Sequence, residues 1–93
     1  MNTAQHINEF NTVLVRYTLI IKGKSVTKAS YFETKEEALD WALSTEQRCK
    51  VMGVDFDLTN AEVANQEPKF WDIRKDFWNY RAAAMQAKKA ANQ

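Results

Sequence analysis

The sequence predicts an α+β domain: a small antiparallel sheet made of a hairpin and a third short strand, with two main helices packed on one face, in the order β-β-α-β-(α)-α. Three observations carry this expectation. Residues 11–22 alternate with period two and are rich in β-branched and aromatic side chains. A second segment has helix-ending residues at both ends, Thr34 and Gly53. After Pro68, apolar residues recur at steps of three and four. The 93 residues, with only two glycines and one proline, suit one compact domain with short connections, so residues 1–93 are expected to share a single core.

Residues 1–10 form a short polar N-terminal segment, in which Thr3 is placed to cap an amphipathic turn from Ala4 to Phe10. Residues 11–32 read as the hairpin. In its first strand Val13, Val15, Tyr17, Leu19 and Ile21 fall on one side and Arg16, Thr18 and Lys22 on the other, while Leu14 and Ile20 on that second side suggest partial cover on both faces. Gly23 supplies the positive φ of the turn Lys22-Gly23-Lys24-Ser25. The returning strand, Ser25 to Phe32, is more polar and carries Lys28, which suits an edge.

Thr34-Lys35-Glu36-Glu37 matches a capping box and starts a helix over residues 35–52. Ala38, Trp41, Ala42, Thr45, Cys49 and Met52 recur on its inner face, and Arg48 and Lys50 precede Gly53 at the negative end of the helix dipole. Residues 54–58 alternate again and read as a third strand; Thr59 or Asn60 is placed to cap a brief helix through Ala64. Pro68 at a first-turn position opens a long helix over residues 68–90.

That helix holds the most informative segment, Phe70 to Arg81, with five aromatics and two arginines in about three turns. At 100° per residue, Phe70, Ile73, Phe77, Tyr80, Ala84 and Ala87 form the expected core stripe. Beside them run Arg74, Arg81 and Lys88, and beyond these a second apolar line, Trp71, Trp78 and Met85. A basic row between two apolar stripes exceeds what one core face requires. Either both stripes are buried, one on the sheet and one on the first helix, or the second faces outward; in that case the expected partner-binding residues are Trp71, Arg74, Trp78, Arg81 and Met85, because tryptophan and arginine dominate interface hot spots. The small residues Ala82, Ala83 and Ala84 let another helix approach closely, and that helix can belong to a second copy of this chain.

Charge is segregated although the net value is +1. The balance is +3 through Tyr31, −6 from Phe32 to Glu67 and +4 from Pro68 onward. Arg16, Lys22, Lys24, Lys28 and Lys75 supply an alternative nucleic-acid-binding set, with Tyr17 or Tyr31 to stack on bases; the near-neutral total and the acidic middle argue against it.

Catalytic chemistry is poorly represented. Asp55-Phe56-Asp57-Leu58-Thr59 resembles the Asp-x-Asp-x-Thr motif of haloacid-dehalogenase-type phosphotransferases, but the likeness spans five residues of a chain too short for that scaffold. Cys49 falls on the inner helix face, where a thiol is packing. With one histidine and one cysteine, a histidine-cysteine zinc cluster within one subunit is excluded. No glycine-rich phosphate loop or nucleophile elbow is present. No metal, cofactor or enzymatic activity is expected. From the polar start, the lone cysteine and the lack of any long apolar run, a cytoplasmic location with no membrane association is expected. The expectation is a small non-enzymatic protein-binding module, the alternatives being the nucleic-acid-binding domain and a homodimeric structural protein. In compactness and lack of catalytic apparatus it resembles the small accessory proteins with which phages and other mobile elements inhibit or redirect host proteins.

Overall fold

The computed structural model describes residues 12–64 and 69–91. Its elements are β1 (Val13–Ile21), β2 (Lys24–Phe32), α1 (Lys35–Met52), β3 (Asp55–Val63), β4 (Phe70–Trp71) and α2 (Ile73–Ala91). The expected α+β class holds: one four-stranded antiparallel sheet, in the spatial order β2-β1-β3-β4, with both helices on one face. The expected N-terminal turn, residues 4–10, lies outside the described residues.

The hairpin forms where the alternation places it. Val13 pairs with Phe32 and Ile21 with Lys24, so the two-residue loop is Lys22-Gly23, with φ of 51° and 80°. Positive φ at both positions is the type I′ geometry whose twist matches the strands, and it forces Lys22 into a region that glycine or asparagine occupies more easily. β2 is an edge strand, as its composition implies.

Helix α1 also starts and stops where its caps dictate. The Thr34 hydroxyl accepts the Glu37 amide at 3.1 Å, and the Glu37 carboxylate accepts the Glu33 amide at 3.3 Å. Gly53 turns left-handed, and the Val54 amide donates to the Cys49 carbonyl at 2.8 Å. The inner face buries Ala38, Ala42 and Cys49 and half-buries Trp41 and Thr45, but Met52, expected there, is exposed, because it lies in the final turn.

Two elements differ from expectation. The third strand does not stop at Leu58 for a helix capped by Thr59 or Asn60; β3 continues to Val63 through a bulge. Tyr17 faces Leu58 and Arg16 faces Asn60, leaving Thr59 without a ladder partner, and beyond it the inward positions shift from Phe56 and Leu58 to Ala61 and Val63. The long helix does not begin at Pro68 either. Phe70 and Trp71 pair with Glu62 and Ala61 as β4, and α2 starts after Asp72, whose carboxylate accepts the Lys75 amide at 3.4 Å.

The core joins Val13 and Val15 of β1, Leu58, Ala61 and Val63 of β3, Trp71 of β4, Ala38 and Ala42 of α1, and Ile73 and Phe77 of α2. Around Trp41, the rings of Tyr17, Phe32 and Phe56 lie at 4.8, 5.1 and 5.7 Å, tying α1 to β1, β2 and β3. No helix among the described residues covers the opposite sheet face, where Arg16 donates to Asn60 and Glu62 at 3.1 and 3.2 Å. Leu14 shares that face half-buried, and Ile20 is exposed there, so only part of the expected two-sided cover exists. No helix among the described residues is long and apolar enough to cross a membrane.

Candidate functional site

Helix α2 carries the candidate face, and its phase follows from which residues meet the sheet. Ile73 and Phe77 are buried, and Tyr80 and Ala84 are half-buried along the same stripe. The basic row lies to one side. Arg74 bridges to Asp57 of β3 at 2.7 Å with both side chains mostly exposed, and Arg81 bridges to Glu46 of α1 at 2.7 Å with side-chain exposures of 31% and 28%. The second pair is the better shielded and holds α2 against α1.

Arg81 has a second role. Its guanidinium lies 5.1 Å from the ring of Trp78 and 5.4 Å from that of Phe77, within cation–π range. Phe77 belongs to the core, whereas Trp78 is 65% exposed and Met85, two turns further, 67%. One arginine, fixed by Glu46, therefore orients an exposed indole. A large apolar ring and a charged group are thus held in a fixed relation at the surface.

The five expected partner-binding residues do not share one surface. Trp71 is 5% exposed and belongs to the core, with its indole N–H donating to Asp76 at 2.7 Å and Lys35 of α1 lying 5.4 Å from its ring. The helical wheel grouped Trp71 with Trp78 only by extending helix geometry through residues that form β4. The same cause displaces Phe70, expected in the core stripe: opposite Glu62 on the uncovered sheet face, it is 63% exposed. Trp78, Arg81 and Met85 remain as the outward group, with Arg74 on the same helix.

The alternative basic set is not gathered into one surface. Arg16 lies on the uncovered sheet face, bound by Glu62 and Asn60. Lys28 and Lys24 oppose Tyr17 and Ile21, which places them on the other side of the edge strand; Lys22 is at the hairpin tip and Lys75 in the first turn of α2. Tyr17 sits in the aromatic cluster with Trp41 and Phe56. Asp57 and Thr59 of the Asp-x-Asp-x-Thr stretch also have structural roles, in the pair with Arg74 and in a 3.2 Å hydroxyl contact with Thr18.

A cleft of ≈ 940 Å³ opens between the C-terminal halves of the two helices, with Leu43, Glu46, Gln47 and Lys50 on one wall and Arg81, Ala84, Met85 and Lys88 on the other. The α1 wall was not picked out from sequence. Its signal is the spacing 43, 46, 47, 50, a helical row one step around from the buried alanines. Compared with protein-family models, with curated proteins and with solved structures, the chain gives no match in any of the three.

Proposed function

We propose that this chain is a small non-enzymatic protein-binding module that docks on a larger protein through the outer face of α2 and so blocks or redirects it, in the manner of a phage or mobile-element accessory protein. The observation that carries this reading is the exposed pair Trp78 and Met85, seven positions apart, with Arg81 held over Trp78 by its bond to Glu46. An exposed tryptophan beside a fixed arginine has the composition of an interface hot spot, where truncating one such residue often costs about 2 kcal/mol of binding or more.

The test is capture of a partner by tagged protein, compared with Trp78→Ala and Arg81→Glu variants whose circular dichroism is native. The expected result is loss of the captured partner with both variants. Unchanged capture by both removes this function.

A further inference from the structure

We infer that the cleft between α1 and α2 is the seat of one amphipathic helix from the partner, with acidic residues flanking its apolar stripe. This rests on the reading of α2 as the binding element and adds the chemistry of what it binds.

The shape comes from two neighbouring helices that each supply one wall. Glu46 and Arg81 hold them together at 2.7 Å, and the cleft opens beside this bridge. The α1 wall presents Leu43, Gln47 and Lys50; the α2 wall presents Ala84, Met85 and Lys88. The α1 row runs at steps of four and three, and the α2 row runs from Arg81 through Ala84 or Met85 to Lys88 at steps of three and four, so both walls are ridged with helical period, which suits helix-in-groove recognition. Leu43, Ala84 and Met85 give the cleft apolar surface, and the thioether of Met85 adapts to differing partner side chains.

Charge selects the occupant. Glu46 is the cleft's one acidic residue among those described, and Arg81 compensates it. Lys50, Lys88 and Lys89 line the cleft without an ion pair to any described residue. An apolar stripe entering here meets ammonium groups on both walls, which carboxylates at its margins neutralise. A second copy fits less well. If α2 pairs with α2 antiparallel, so that Trp78 meets Met85, Arg74 and Lys75 fall opposite Lys88 and Lys89, like charge against like. A copy entering with the acidic first turn of its α1 makes a head-to-tail contact that does not close into a dimer.

The probe is a synthetic peptide of about 18 residues, roughly 27 Å of helix, with leucines at i, i+3, i+4 and i+7 and glutamates beside them; its control has lysines in place of the glutamates. Fluorescence anisotropy of labelled peptide is read against wild-type protein, Met85→Asp and the double variant Lys88→Glu/Lys89→Glu, with light scattering on each protein. The acidic peptide is expected to bind the wild type at least about ten-fold more tightly than the basic one, with the difference shrinking as salt rises. Met85→Asp is expected to remove binding, and the double variant to reverse the charge preference. Equal binding of the two peptides, no binding of either, or an unreversed preference overturns the inference. So does self-association that Met85→Asp abolishes. If Trp78→Ala and Arg81→Glu lose partner capture while the peptides fail these criteria, the binding function stands and only the acidic-helix groove falls.

Discussion

Removing the side chain of Trp71 and removing that of Trp78 are expected to have very different costs. Trp71 closes the core beside Ala61 and Ile73 and satisfies its indole N–H on Asp76, so Trp71→Ala is expected to lower stability by about 3–5 kcal/mol in urea unfolding. Trp78 carries the Arg81 guanidinium on its ring and is mostly in water, so Trp78→Ala is expected to cost less than about 1 kcal/mol. At this scale the sequence is a good guide to the middle of correctly read elements and a poorer one at their ends, where Met52 is exposed. Val13, Val15, Ala38, Ala42, Ile73 and Phe77 are buried as their periodicity implies. Trp71 and Phe70 were misplaced together, because one residue's face cannot be read from a wheel drawn through a strand. Asp72 was the available signal, since an aspartate three residues before the amide it accepts marks a helix start.

Among the elements, α1 was fully legible because its boundaries depend on local chemistry. Thr34, Glu37 and Gly53 satisfy backbone groups within their own turns, and no distant residue is needed to place them. Gly53→Ala is expected to destabilise by about 1–2 kcal/mol, the penalty of the left-handed conformation for a residue with a Cβ. The added methyl meets nothing within 4 Å, so a thermal melt read beside Thr34→Ala isolates a backbone effect at one end of the helix from a lost hydrogen bond at the other. The second half of β3 and all of β4 were illegible for the opposite reason. A two-residue strand has no period of its own, and β4 exists because Ala61 and Glu62 offer it an edge. In β3 the alternation breaks at Thr59, so a reading based on period ends there although the strand does not.

At the scale of the whole molecule, stability and the proposed binding draw on different lengths of the same helix. The core uses α2 only through Phe77, with Tyr80 and Ala84 half-buried beyond it, while the cleft uses Arg81 to Lys89. A chain ending at Ala84 is therefore expected to keep a folded circular-dichroism spectrum, less the helical signal of residues 85–91, and a melting temperature within about 8 °C of the full chain, a change of about 1 kcal/mol for a domain of this size. It is also expected to lose the acidic peptide. Loss of cooperative unfolding in that truncated chain would show that residues 85–93 belong to the folding unit. The candidate site was legible only on its α2 side. Its other wall and its charge balance emerge when a second helix, distant in sequence, is laid alongside, an arrangement set by the shared core and bridged by Glu46 and Arg81.

The bulge at Thr59 bears on how this chain tolerates changes in length. Within a paired strand, losing one residue normally turns every later side chain to the wrong side of the sheet. Here β3 is one residue longer than its partner requires, and taking Thr59 away leaves Leu58, Asn60, Ala61, Glu62 and Val63 in unbroken alternation, each opposite the β1 residue it already faces. Position 59 is thus the point in the sheet's interior where the polypeptide can shorten by one residue without reassigning its core. The same deletion at Leu58 or Ala61 removes a buried side chain.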